Sequence, residues 1–218
     1  MSLRLYYAPG ACSLAPHIAL AEAGADFDLV RVVLSEGEQH KPDYRAINPR
    51  GRVPTLLVDG KPLTEVPAIL AYLAQRFPQA NLLPADPFAA AKGLELASWI
   101  ASTVHPSFAQ IFRGDRFTDD PAAKEALKTD GAIRFQRHLA EMETLFADGR
   151  PWILGDAFSV IDAYALVVYR WAPRLAIDQQ SFPGWTAQVR RLYARPSVLT
   201  ALAQEGQAPE AAFQSAAA

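Results

Sequence analysis

Cys12 is the one cysteine in a chain of 218 residues, and it stands where a strand-like run gives way to a helical one. Leu3-Arg4-Leu5-Tyr6-Tyr7 carries the branched and aromatic side chains that suit a pleated surface. Ala8-Pro9-Gly10-Ala11 reads as a turn, after which Leu14, Ile18 and Ala21 recur at helical spacing. Pro16 fits only in the first turn of that helix, where backbone N–H groups lack partners anyway. Ser13 then falls near the N-cap and Cys12 at the positive end of the helix dipole, where a thiolate is stabilised and pKa values fall to about 3.5–7.5. This placement predicts a reactive thiol; the competing expectation is a small buried hydrophobic side chain. With no second cysteine, disulfide chemistry needs a partner molecule.

Other residues with chemical potential are scattered. His105 precedes Pro106 inside a long apolar helix that the proline should kink. Taken alone, a histidine there is expected to be a hydrogen-bonded structural residue. Glu65 ends a strand-like run just before a helix, where an acid suits the dipole. Pro54 opens a strand, and the residues alone favour a trans proline on a sheet edge. His17, His40 and His138 have no metal-ligand spacing with one another or with Cys12, so no metal is expected. No glycine loop of the phosphate-cradling kind is present.

The elements that must position these residues change character midway. The first half alternates: the opening strand and helix, a second strand within Phe27 to Leu34, and a short helical piece at Tyr44-Arg45-Ala46. Then Val53 to Val58 and Lys61 to Thr64 flank Asp59-Gly60, a strong hairpin signal. Ile69, Leu70, Leu73 and Phe77 return to helical spacing. The expected order is βαβ-α-ββα over residues 1–78. Residues 79–86 read as a linker, bounded by Pro78, Pro84 and Pro87. Residues 87–210 read as an all-helical domain. There Asp120-Pro121 starts a helix, Phe135, Leu139, Met142 and Phe146 share an apolar face, and Ser159-x-x-Asp162 resembles a capping box. The tail Ala211 to Ala218 is expected to fray.

Composition narrows the class. The chain is 50% hydrophobic and 20% charged with a formal net charge of −2, which suits a globular protein and gives no footprint for nucleic acid. Arg190, Arg191 and Arg195 form a small basic cluster, expected to be a solvated face. The start Met-Ser-Leu-Arg lacks the pattern of a signal peptide. Ala163 to Tyr169 is far short of the roughly 20 residues of a membrane span. A cytoplasmic location is expected, consistent with a lone cysteine.

Three separated segments carry a family resemblance. Tyr6-Tyr7-Ala8-Pro9-Gly10-Ala11-Cys12-Ser13-Leu14-Ala15-Pro16-His17-Ile18-Ala19-Leu20, Ile47-Asn48-Pro49-Arg50-Gly51-Arg52-Val53-Pro54 and Gly155-Asp156-x-Phe158-Ser159-x-x-Asp162-Ala163-Tyr164 resemble, in order, the signatures of bacterial beta-class glutathione transferases. The likeness runs from Leu3 to about Gly206. It implies a thioredoxin-like N-terminal domain on an all-helical C-terminal domain, a homodimer, and glutathione as co-substrate.

The resemblance also implies roles. The Val53-Pro54 bond would be cis, presenting the Val53 backbone to the cysteinyl part of glutathione like another antiparallel strand. Glu65 would take the γ-glutamyl ammonium, and the start of the next helix its carboxylate. Relatives often place Ser or Gly after that acid; here Val66-Pro67 leaves only the Val66 N–H as a certain donor. For the glycine carboxylate, the loop from Ser35 offers a cation only at Lys41, and Arg52 is the alternative. Ala11 and Pro54 would line the site, and Cys12, Ser13 and His105 would flank the thiolate. Ser98 and Thr103 stand where relatives carry Asn and Glu reaching across the dimer. The implied activity is conjugation of glutathione to small hydrophobic electrophiles. The alternatives are a glutathione-dependent thiol–disulfide reductase or peroxidase using Cys12, and a non-catalytic binding protein.

Overall fold

A computed structural model describes residues 2–210, so the tail Ala211 to Ala218 lies outside the described residues. The first half contains β1 (Leu3–Tyr7), α1 (Leu14–Glu22), β2 (Asp28–Arg31), α2 (Pro42–Ile47), β3 (Thr55–Val58), β4 (Lys61–Thr64) and α3 (Val66–Arg76). The strands lie in the order β2-β1-β3-β4. β1 runs parallel to β2, with Leu5 opposite Leu29, and antiparallel to β3, with Leu5 opposite Leu56. Leu5 and Leu56 are fully buried, as the period-two alternation requires. At the β3–β4 turn Asp59 and Gly60 both take positive φ, 48° and 80°, the geometry that makes Asp-Gly a hairpin signal. This is the βαβ-α-ββα order that the alternating pattern predicts, in the thioredoxin-like arrangement that the resemblance implies.

β2 is shorter than the predicted Phe27 to Leu34 strand. Val32 N still donates to Tyr7 O at 2.7 Å, but Val33 N is taken by the Glu38 carboxylate at 2.7 Å. That local bond draws the chain off the sheet edge into two 3₁₀ turns, Leu34–Glu36 and Glu38–His40.

The second half is built of helices, with one β-bridge, Trp152 to Gly155, before α7: α4 (Pro87–Trp99), α5 (His105–Phe112), α6 (Pro121–Thr144), α7 (Val160–Trp171), α8 (Pro183–Tyr193) and α9 (Pro196–Gln204). Asp86 and Asp120 cap α4 and α6 by accepting from Ala89 N at 2.8 Å and Ala122 N at 3.0 Å. Phe135, Leu139, Met142 and Phe146 are buried along one face, as their spacing predicts. α7 threads the centre. The capping box at its start is present, and Asp162 accepts from Ser159 N, Ser159 Oγ, Ile153 N and Gln188 Nε2 at 2.8–3.0 Å. Instead of a simple kink before Pro106, one π-helical turn, Ile100–Val104, joins α4 to α5, with His105 N donating to Ile100 O. Pro106 has no N–H to offer the preceding turn, so the ladder must break near it. Among the described residues no helix is long and apolar enough to cross a membrane.

The two halves meet where α1 packs on α7 and α9. His17 and Glu205 are both fully buried there, with His17 Nδ1 3.1 Å from Glu205 Oε1 and Nε2 2.7 Å from Gln204 Oε1. Gly10 N donates to Glu205 Oε2 at 3.1 Å, and Trp171 Nε1 donates to Gly10 O at 3.0 Å. Arg195 departs from the expected solvated face. It pairs with Glu22 of α1 and lies 4.1 Å from the Phe158 ring centroid, while Arg190 and Arg191 are exposed. The corner between α8 and α9 turns Arg195 inward, toward a carboxylate from the other half.

Removing the Glu205 carboxylate strands its buried hydrogen-bond partners, the His17 ring nitrogen and the Gly10 N–H. Glu205→Ala is therefore expected to lower stability by about 1–3 kcal/mol, read by urea unfolding. A loss below about 1 kcal/mol would show that the pair is not a principal clamp.

Candidate functional site

The turn from β1 into α1 is built by Ser13. Its hydroxyl accepts from Ala8 N at 3.1 Å and donates to Ala8 O at 3.2 Å, and it is fully buried. Ser13 does make the N-cap, but its side chain does not cap the helix. Ser13, expected to help orient a thiolate, gives its one hydroxyl proton to Ala8 O in closing the turn and does not line the cleft. Ala11 does line the cleft, although its N–H donates to Ala8 O at 3.0 Å and leaves only a wall.

Opposite this turn, Asn48 and Tyr44 organise the loop that carries Val53. Arg52 O accepts from Asn48 Nδ2 at 2.7 Å and from Tyr44 Oη at 2.6 Å. Gly51 takes φ 61°, and a Cβ there would stand 2.7 Å from Gln39 O, so a side chain cannot be fitted. The Val53-Pro54 peptide is cis, as the resemblance implied. Val53 N has no hydrogen-bond partner among the described residues, whereas Val53 O accepts from Cys12 Sγ at 3.6 Å.

These residues surround a small recess that opens beside a larger cleft. Cys12, Arg52, Val53 and His105 border both; Glu65, Val66 and Pro54 border the recess. Glu65 is held at φ 69° and ψ 121° immediately before α3. A non-glycine residue in that region costs about 1–3 kcal/mol and is characteristic of binding sites. Val66 is buried at the first position of α3. The sequence reading missed Asn48, Arg50 and Thr64, which complete the recess. Arg50 Nη1 donates to Thr64 Oγ1 at 3.4 Å, a contact between segments that no spacing rule connects. Lys41, the alternative cation, pairs with Glu38 at 3.7 Å and lines neither space, whereas Arg52 borders both and Arg50 borders the recess.

The larger cleft, about 610 Å³, is walled by α5 and the end of α7. Phe108 stacks on Trp171 with ring centroids 4.4 Å apart and planes 11° apart, and His105 lies 4.8 Å from Trp171. His105 thus faces the cleft and is not absorbed into a structural hydrogen bond.

The electrostatics correct the expected activated thiol. Burial pushes the Cys12 thiol up to about 12, outweighing the nearby Arg116 and Arg52 charges, with Glu65 adding to the rise. The helix-terminus argument holds for a half-exposed thiol; removing the sulfur from water opposes it and wins. His105 moves the other way, down to about 4, first through burial and then through Arg116 and Arg52. It is a neutral imidazole at physiological pH.

Residues 1–75 match the profile of the glutathione S-transferase N-terminal domain, and residues 121–195 match that of a glutathione S-transferase C-terminal domain. The chain is 37% identical over 207 residues to glutathione S-transferase GstA of Escherichia coli O157:H7, covering 94% of this chain and 99% of that protein. A glutathione transferase homolog from Sulfitobacter, solved with bound glutathione, superposes with a TM-score of 0.89 at 37% identity, covering 95% of this chain and 99% of that one. A beta-class glutathione S-transferase from Sphingomonas chungbukensis gives a TM-score of 0.82 at 35% identity, covering 94% of this chain and 100% of that one. The chain belongs to the glutathione S-transferase family.

Two outcomes follow from the shifted groups. Because only the thiolate alkylates, Cys12 in the unliganded protein should react with iodoacetamide far more slowly at pH 7.5 than a free cysteine. Its rate should climb about tenfold per pH unit up to the unfolding limit. Intact mass reads this without ambiguity of site, and free-thiol reactivity at neutral pH would refute it. For His105 the folded pKa lies below the unfolded value of about 6.5, so the unfolded chain takes the proton first. Its contribution to stability is complete above that value and is lost as pH falls toward 4. His105→Gln should flatten the urea-midpoint profile across that window.

Proposed function

We propose that the chain binds glutathione in the recess beside Cys12 and conjugates it to small hydrophobic electrophiles held against the aromatic wall. The observation that carries this reading is the unpaired Val53 N–H beside Cys12, with Glu65 at the head of α3 and an aromatic cleft alongside. The Val53 backbone would receive the cysteinyl part as an added strand. Glu65 would accept the γ-glutamyl ammonium, and the Val66 N–H would donate to its α-carboxylate. Arg52 would meet the glycine carboxylate with its guanidinium fork. Pro54 and Ala11 shape the walls. Glutathione's sulfur would then lie between Cys12 and His105, in a site whose arginine charges favour a thiolate.

Catalysis on this reading is positioning plus charge stabilisation. The thiolate forms a carbon–sulfur bond to the electrophilic carbon, the leaving group departs with its electron pair, and the thiol proton passes to solvent. A reductase or peroxidase using Cys12 is the weaker reading, because a thiol held near 12 is poorly nucleophilic at neutral pH. We further assign residues 1–78 to glutathione binding and 87–210 to the helical domain, with 79–86 between them. The assembly we expect is a homodimer in the cytoplasm, supported by the resemblance, by the lone cysteine and by Phe88, 75% exposed at the start of α4.

Glu65→Lys replaces the ammonium acceptor with a like charge. It should abolish retention on immobilised glutathione while the circular dichroism spectrum stays native. Undiminished retention would refute the assignment of the recess. Failure of the native chain to accelerate glutathione addition to 1-chloro-2,4-dinitrobenzene would favour the non-catalytic reading.

A further inference from the structure

The cleft has an unusual charge balance. Five arginines line it, Arg31, Arg52, Arg113, Arg116 and Arg174, and no aspartate or glutamate does. The chain as a whole carries a net charge of −2, so this concentration is not a reflection of composition. Among the described residues none of the five forms an ion pair. Asp115 is adjacent to Arg116 in sequence but does not line the cleft.

The arginines come from different elements, so folding brings them together. Arg31 ends β2, Arg52 lies in the loop before β3, Arg113 and Arg116 follow α5, and Arg174 follows α7. The charges repel: Arg116 is lowered from its ordinary value first by burial, then by Arg52 and Arg113. All five side chains are exposed, so water and salt screen much of this repulsion, and a bound anion would supply the counter-charge that no carboxylate of the cleft provides. Arg174 is partly accommodated, lying 4.7 Å from the Phe112 ring centroid and 5.4 Å from that of Phe108. Among the described residues Arg113 and Arg116 have no such partner ring.

Glutathione accounts for only part of this charge. Its glycine carboxylate is allotted to Arg52, and its γ-glutamyl end lies at Glu65 and α3, on the far side of the recess. The sulfur adds one negative charge as thiolate. Arg31, Arg113, Arg116 and Arg174 remain, and the last three follow α5 and α7, the helices that carry Phe108, Phe112 and Trp171.

We propose that the second substrate is an aromatic electrophile bearing a carboxylate, its ring held by Phe108, Phe112 and Trp171 and its carboxylate clasped by Arg113 and Arg116. The inference rests on the conjugation reading and narrows its substrate class from hydrophobic to anionic aromatic. Two forked guanidinium groups match a planar carboxylate in shape as well as charge. With an aryl halide of this class, the glutathione thiolate forms the carbon–sulfur bond, the carbon–halogen bond breaks, and halide leaves with the electron pair. The thiol proton passes to solvent, and the carboxylate is unchanged.

The test separates binding from turnover. Calorimetry on the protein saturated with S-methylglutathione compares 3,5-dinitrobenzoate, which has no leaving group, with its methyl ester. The acid should bind at least tenfold more tightly, and the ratio should approach one in the Arg113→Gln/Arg116→Gln double variant. Because the ratio is taken within each protein, the ester controls for damage to the fold. Equal affinity of acid and ester in the native protein, or an unchanged ratio in the double variant, would overturn the proposal. Turnover of 4-chloro-3,5-dinitrobenzoate and its methyl ester is measured beside it. Preference for the acid in kcat/KM, lost in the double variant, supports the substrate class. Failure to conjugate either compound rejects the conjugation reading, while the calorimetric ratio still decides the carboxylate clasp.

Discussion

The clamping of α1 between the sheet and the helical half is the constraint on which the cleft depends. His17 projects from α1 into a fully buried site and meets Glu205 and Gln204 at the end of α9. Glu205 also receives Gly10 N–H, and Gly10 O receives the Trp171 indole. A single short network therefore fixes the β1–α1 turn, the end of α7 and the end of α9 relative to one another. Buried polar groups are costly unless every member is paired, so this network has little tolerance for an altered docking angle. The turn that it fixes carries Cys12, and the helix end that it fixes carries the aromatic wall.

The same docking determines the chemistry of Cys12. A helix N-terminus favours thiolate, while enclosure by protein favours thiol, and enclosure prevails. In the resting protein Cys12 is a packed thiol donating to Val53 O, not a poised nucleophile. That is consistent with a site whose nucleophile arrives with the co-substrate, the reading favoured here. His105 is subject to the same enclosure with opposite sign, as expected for a base, and stays neutral. Positive charge in the cleft consequently comes from arginine alone, which does not titrate in the physiological range.

The two local irregularities of the backbone share a location. The π turn lies just before His105 and the strained backbone is that of Glu65 itself, and both residues border the recess. The cost is borne by well-packed surroundings: α7 is buried along nearly its whole length, and Asp162 at its start accepts four hydrogen bonds.

Much of the fold was legible in the chain because its signals are local. Alternation gave the strands, Asp59-Gly60 the hairpin, Asp120-Pro121 the start of α6, and the Ser159/Asp162 spacing the cap of α7. The family signatures located Cys12, Val53, Glu65 and His105 in one site, and the structure places them around one recess. What sequence could not supply depends on distance in space. The β2 strand ends early because of the Glu38 carboxylate, Ser13 is consumed by Ala8, and Arg195 turns inward to Glu22, three outcomes set by partners that spacing does not reveal. The thiol state of Cys12 depends on desolvation, which exists only after the halves have docked. The convergence of Arg31, Arg52, Arg113, Arg116 and Arg174 was invisible for the same reason. Local backbone preference is written residue by residue, whereas burial and electrostatic potential are properties of the assembled volume.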